Sequence, residues 1–175
     1  MTFRSSLLVG IALFGFLVAC TSQAEGPPYV RTPASSDLQT FAKYVNLPEK
    51  PKAVTFETFY RAKPSRAPGP TDWSLMAVLT YDPAALQRIK EQGHQQKDPV
   101  MLDANEIRPW FPQAVKDTLV SSGNQGSRFA SPAYQAKPFL KPPLNDGEFT
   151  VPDGSNYLFL QMDCCGPMRD GASGK

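Results

Sequence analysis

The stretch Trp73–Tyr81 constrains the fold more than any other part of the chain. Trp73, Leu75, Ala77 and Leu79 fall on one side of an extended strand, and Met76 and Val78 fall on the other, because successive side chains of a strand point to opposite faces. A strand that is apolar on both sides must be covered on both sides, which predicts a central strand. Residues 53–61 read differently. Val54, Phe56, Thr58 and Tyr60 share one face while Thr55, Glu57, Phe59 and Arg61 share the other, a half-buried alternation. The connection between the two strands contains Pro64, Pro68, Gly69 and Pro70 and is too rich in breakers for regular structure.

Helices flank this strand pair. Ser36, followed three residues later by Gln39, has the pattern of a capping box, and Leu38, Phe41, Ala42 and Val45 then form one helical stripe that ends before Pro48. Asp82 and Pro83 start a second helix over 83–92, with Gly93 as its stop, since proline fits the first helical position. Asp103 and Glu106 form another capping pattern, but Pro109 and Pro112 limit that turn and restart the helix near residue 112, with Val115 and Leu119 as its apolar side. Residues 121–128, with Gly123 and Gly126, read as a mobile loop. Residues 134–140, 149–151 and 157–162 are extended, joined by turns at Asn145–Gly147 and Pro152–Gly154, and the consecutive Leu158, Phe159 and Leu160 predict a strand buried on both faces. The order predicts an α+β fold, a mainly antiparallel sheet of about five strands with two to three short helices packed on it.

The amino-terminal segment follows another logic. Arg4 precedes an apolar run, Leu7–Leu17, of about eleven residues, whereas a spanning helix needs about twenty; the run has the anatomy of a signal peptide. It closes on Leu17, Val18, Ala19 and Cys20. In this string the chain resembles the bacterial lipoprotein class, whose lipobox is an aliphatic residue, two small or aliphatic residues and a cysteine. The resemblance implies cleavage between Ala19 and Cys20, a diacylglycerol thioether on Cys20 and, in most such bacteria, a third acyl chain on its amine. Two or more acyl chains anchor a protein stably to a bilayer, at about 0.8 kcal/mol per buried methylene. Thr21 stands where aspartate would mark retention at the inner membrane, so the resemblance implies the periplasmic side of the outer membrane in a cell that has one. The expected organisation is a signal peptide over 1–19, a lipidated cysteine and tether over 20–35, one domain over 36–163 and a flexible tail over 164–175. Fully extended, the residues after Cys20 in such a tether reach about 50 Å.

Removing residues 1–19 from the 175 leaves 156, enough for one domain with its own core. With Arg4 gone, the basic residues exceed the 16 acidic ones by one. No dense basic cluster remains, which argues against a nucleic-acid partner. A single histidine, His94, beside a polar stretch does not supply a metal site or most hydrolytic mechanisms. No nucleophile elbow or phosphate-cradling glycine loop is present, so no metal, cofactor or catalytic residue is assigned. Cys164 and Cys165 are adjacent, and a bridge between neighbours is strained because their Cα atoms lie about 3.8 Å apart; they read as a redox pair, as two thiols or as a passive bridge.

Two strings remain as candidate binding sites. Thr71, Asp72 and Trp73 follow Pro68, Gly69 and Pro70. They either present a hydroxyl, a carboxylate and an indole to a sugar or peptide or form a turn whose tryptophan packs inward. Arg108, Trp110 and Phe111, framed by Pro109 and Pro112, either form an exposed hot spot or plug the gap between helix and sheet. The carboxylate pairs Asp103/Glu106 and Asp146/Glu148 are explained by capping and by a turn. The expectation is a membrane-anchored envelope lipoprotein serving as a non-enzymatic binding or assembly module for a protein or polymer partner. The alternative is a periplasmic enzyme acting on cell-wall or sugar polymer through carboxylates such as Asp72.

Overall fold

In the computed structural model, which describes residues 29–61, 73–123 and 126–164, the sheet begins inside the segment whose prolines suggest a tether. Strand β1 (Tyr29–Arg31) pairs antiparallel with β2 (Ala53–Arg61). Ser35 continues the contact, exchanging backbone hydrogen bonds with Phe56. Proline is compatible with this path because an edge strand needs only half of its N–H groups. Residues 29–31, within the segment expected to be a tether, thus form a strand of the sheet. The expected signal peptide with Ala19 and Cys20, and Thr71, Asp72, Cys165 and the rest of the expected tail, lie outside the described residues.

Helix α1 (Leu38–Tyr44) is capped by Asp37, not Ser36: the Asp37 carboxylate accepts from the N–H groups of Gln39 (2.9 Å) and Thr40 (3.3 Å). The Thr40 hydroxyl donates to the other oxygen at 2.6 Å. These bonds hold the Asp37 carboxyl below its ordinary range. A carboxylate with two oxygens can accept from all three donors. Strand β3 (Trp73–Thr80) follows, then α2 (Pro83–Gln92), starting after Asp82 and stopping at Gly93 as the sequence predicts.

The main sheet is antiparallel with six strands in the order β1-β2-β3-β9-β8-β7, where β7 is Ala133–Gln135, β8 Leu144–Thr150 and β9 Tyr157–Cys164. As predicted, β3 is central, and Leu158, Phe159 and Leu160 are fully buried. Residues 145–147, read as a turn, instead belong to β8 and follow a register shift between Leu144 and Asp146. Residues 137–139 form a single 3₁₀ turn rather than a strand.

A second, three-stranded sheet has the order β4-β6-β5, where β4 is Met101–Leu102, β5 Leu119–Ser121 and β6 Ser127–Phe129. Short helix α3 (Gln113–Lys116) lies between β4 and β5. The segment expected to be a loop at 121–128 is thus partly strand. Gly126 allows the close approach, since its φ is +92° and a Cβ there would collide with the Leu102 carbonyl oxygen; only glycine adopts this conformation readily.

Alternation divides the main sheet into two faces. The first carries Phe56, Ala77, Leu160 and Phe149 and is covered by Phe41 of α1, Ile89 of α2 and Phe139 of the 3₁₀ turn. The second carries Met76, Val78 and Phe159 and is covered by Phe111, Val115 of α3 and Phe129 of β6. Each of the larger of these side chains contributes about 1.5–3 kcal/mol by its burial. Outside β7 the backbone of residues 94–96 adds further hydrogen bonds, Gln135 N–H to His94 O (2.9 Å) and Gln96 N–H to Ala133 O (2.8 Å).

Candidate functional site

The second face of the sheet is where polar chemistry is concentrated. Register places Glu57 of β2, Met76 of β3, Gln161 of β9 and Glu148 of β8 in one row across four strands. The next row holds Phe59, Ser74, Asp163 and Asp146. Alternation sends both rows to the same face. Over them lies the connection from Asp103 to Phe111, in which Pro109 disfavours helical structure.

Glu57 is the centre of this arrangement. The sequence pattern reads its face of β2 as the exposed one, yet Glu57 is 5 % exposed and Phe59 6 %. The reason is tertiary. Arg108, itself 4 % exposed, donates from Nε to Glu57 Oε1 and from Nη1 to the Asn105 carbonyl. Trp110 donates from its indole Nε1 to Glu57 Oε2 at 3.2 Å. Both carboxylate oxygens are therefore engaged, which offsets the several kcal/mol that burying each charge costs. Arg31 of β1 also reaches the Asn105 carbonyl, at 3.3 Å, tying the edge strand to the same connection.

Two further groups border the pair. Ser74, fully buried, donates its hydroxyl to Asp163 Oδ1. Glu106 Oε2 accepts from the Asp103 N–H at 2.8 Å, the inverse half of a capping box with no α-helix behind it. Burial pushes the Glu106 carboxyl above its ordinary range; the charges of Asp103 and Asp163 push the same way, against the Asp103 hydrogen bond and Arg108. A carboxyl so placed can hold or release a proton nearer neutrality than a free one. Gln161 Oε1 and Gln135 Oε1 are buried without a hydrogen-bond partner.

The two tryptophans singled out in the sequence are not neighbours. Trp73 is half-buried on the first face, its ring 5.6 Å from Tyr44 in an edge contact. Trp110 packs on the second face, edge-on to Phe111 at 4.8 Å, and Phe111 meets Phe159 at 5.7 Å. Arg108 and Phe111 are buried rather than exposed. Cys164 is buried at the end of β9, opposite Leu144. His94 is exposed. Among the described residues no group of three or more His, Cys, Asp or Glu side chains forms a metal-binding arrangement, and no helix is long and apolar enough to cross a membrane.

Sequence reasoning missed Glu57, Ser74 and Asp163. One signal was present, an acid set between Phe56 and Phe59 in a strand next to the most apolar strand of the chain. It shows an inconsistency without naming the arginine that resolves it. Comparisons with protein-family models, with curated proteins and with solved structures give no match.

Proposed function

We propose that this chain is a lipid-anchored protein of the bacterial cell envelope, acylated at Cys20, whose α+β domain is a non-enzymatic binding or assembly module on the periplasmic side of the outer membrane. The observation that carries the reading is the string Leu17-Val18-Ala19-Cys20 closing an apolar run too short to span a bilayer. In this reading residues 21–28 separate the acylated cysteine from the first described strand, which begins at Tyr29. Such a segment spans at most about 30 Å. A partner, protein or polymer, then meets the domain within that layer. The binding-module half draws support from the second face, where Arg108 and Trp110 both donate to Glu57 and so serve as a brace.

The test is mass spectrometry of the mature protein from its own membranes. A diacylglycerol-modified amino-terminal cysteine is expected, and Cys20→Ser should accumulate as an unprocessed precursor; normal maturation of that variant would sink the anchor. Affinity capture of the lipidated protein should return one envelope component in stoichiometric amount. A second reading, a carboxylate-dependent hydrolase of envelope polymer, would rest on Glu106, which lies over the buried Glu57–Arg108 pair with Oε2 held by the Asp103 N–H and its carboxyl pushed upward by burial. Polymer-degrading activity that disappears in Glu106→Gln would replace the first reading with this one.

A further inference from the structure

The chain holds three Asp-Gly pairs, Asp146–Gly147, Asp153–Gly154 and Asp170–Gly171, of which the last lies outside the described residues. Glycine has no Cβ to keep the preceding side chain away from its nitrogen. The fold treats the two described pairs differently. At Asp146, an exposed residue of β8, Oδ1 accepts from the Gly147 N–H at 2.8 Å. The carboxyl is thereby folded back onto the next peptide bond of its own chain. At Asp153 the described bonds run from Asp153 N–H to Ser131 Oγ and from Ser155 N–H to Pro152 O. Neither draws the Asp153 carboxylate to the Gly154 nitrogen.

The place of Gly147 in the sheet holds that arrangement. Ala136 N–H donates to Gly147 O at 2.9 Å, and in an antiparallel strand the N–H and C=O of one residue point to the same side. The Gly147 nitrogen therefore faces away from β9. The register shift between Leu144 and Asp146 gives β8 the extra residue of a bulge, and bulges re-aim side chains. A near-attack arrangement holds reacting atoms about 3–3.5 Å apart. Here the carboxyl carbon stands one bond beyond an oxygen that is 2.8 Å from the nitrogen.

We propose that Asp146–Gly147 is a site of spontaneous covalent modification, at which the folded chain converts aspartate to isoaspartate. The Gly147 nitrogen attacks Asp146 Cγ and forms an N–Cγ bond. The Cγ–OH bond breaks, and the hydroxyl leaves with the amide proton as water, closing a cyclic imide. Water then adds to either imide carbonyl. Addition at Cγ breaks the new bond and restores aspartate. Addition at the main-chain carbonyl breaks the original peptide C–N bond and leaves the chain running through Cβ and Cγ. Water is the one co-reactant, and the exposed Asp146 side chain meets it.

The product has a structural consequence. An isoaspartyl linkage lengthens the main chain by one carbon just before Gly147, where space is short: a Cβ on Gly147 would stand 2.5 Å from Gln161 O and 2.9 Å from Met162 Cα. The added carbon therefore disturbs the register on its amino-terminal side, where Asp146 lies opposite Asp163 and Leu144 opposite Cys164. Leu144, 1 % exposed, then loses its place at the end of the first core. Modified chains unfold at a lower temperature than unmodified ones. None of this depends on whether Cys20 is acylated.

The experiment is a timed incubation of the purified full chain at mildly acidic pH in water enriched in heavy oxygen, once native and once in denaturant. Cleavage after glutamate and after basic residues not followed by proline separates 129–148, 149–169 and 170–175, so each Asp-Gly pair is read alone. Every opening of the imide leaves one heavy oxygen in its peptide, and enzymatic methyl transfer specific for isoaspartate counts the product. In the native chain 129–148 should convert about tenfold faster than 149–169, and in denaturant the two rates should converge. Equal native rates, or a native rate for 129–148 below its denatured one, would overturn the proposal. A difference that persists in denaturant would overturn it too, by assigning the reaction to local sequence rather than to the fold. Asp146→Glu keeps the charge but moves the carboxyl carbon one methylene further along, and should abolish conversion in 129–148 while leaving 149–169 unchanged. Isoaspartate remaining in 129–148 of that variant would place the reaction at Asn145 and sink the assignment to Asp146.

Discussion

The two faces of the six-stranded sheet use the same strands and solve burial in opposite ways. On the first face, Phe41, Phe56, Leu160, Phe149 and Phe139 meet as apolar surface, and Phe149 stacks on Tyr134 at 5.2 Å. On the second, Glu57 and Arg108 are buried as deeply as the aromatics around them. Apolar burial tolerates any partner of the right volume. A buried charge tolerates only the one that neutralises and hydrogen-bonds it. The first face thus supplies stability, and the second fixes one position for the connection over it.

This contrast breaks most sharply under truncation. Phe149→Ala should cost about 3–5 kcal/mol, read as a fall in the denaturant midpoint, because it opens a cavity between Tyr134 and the 3₁₀ turn. Arg108→Ala should cost a similar 3–5 kcal/mol for a different reason, the uncompensated Glu57 carboxylate left under the connection. The double variant Glu57→Leu/Arg108→Met separates the mechanisms. It should recover most of the loss, since buried pairs exchange for apolar residues at little cost. Failure to recover would mean that the connection needs its charges to stay in place.

A smaller effect tests the first face from the opposite direction. Tyr81 is 1 % exposed, and its hydroxyl has no hydrogen-bond partner; burial, with the Glu49 charge adding to it, raises its ionisation well above the ordinary value of 10.0. An orphaned buried hydroxyl costs about 1–3 kcal/mol. Tyr81→Phe should therefore stabilise the protein by about 1 kcal/mol, a melting-temperature rise of a few degrees. A loss of stability would reveal a partner for that hydroxyl.

What the sequence discloses follows the same division. The first face is legible because alternation in β2, β3 and β9 is a local property: Val54, Phe56, Leu75, Ala77, Leu158 and Leu160 declare their side through spacing alone. Helix α2 is legible for an equally local reason, Asp82-Pro83 before it and Gly93 after it. Strand β1 is hidden because the prolines flanking it, Pro27, Pro28 and Pro33, suit a tether as well as an edge, and only pairing with β2 decides. Strands β4 to β6 are hidden because two or three residues carry no periodicity. The candidate site is the least legible part. Glu57 and Arg108 are 51 positions apart, and no local pattern signals that a strand acid and a loop guanidinium will meet.

The smallest predicted effect probes the margin of the polar face, at Glu106. Its carboxyl ionises above the ordinary value of 4.5 because it is desolvated beside Asp103 and Asp163. Between 4.5 and the raised native value, the folded chain holds a proton that the unfolded chain has released. Stability from this group is accordingly present in acid, falls as the pH rises through that window and stays lowered above it. Glu106→Gln keeps an oxygen for the Asp103 N–H but cannot ionise. Thermal unfolding should show the variant higher than the parent by about 1–2 °C near neutral pH, with the difference closing below the ordinary carboxylate range. A variant less stable at neutral pH would show that the Glu106 charge is neutralised by a cation facing it, and the polar face would then be a balanced charge network throughout.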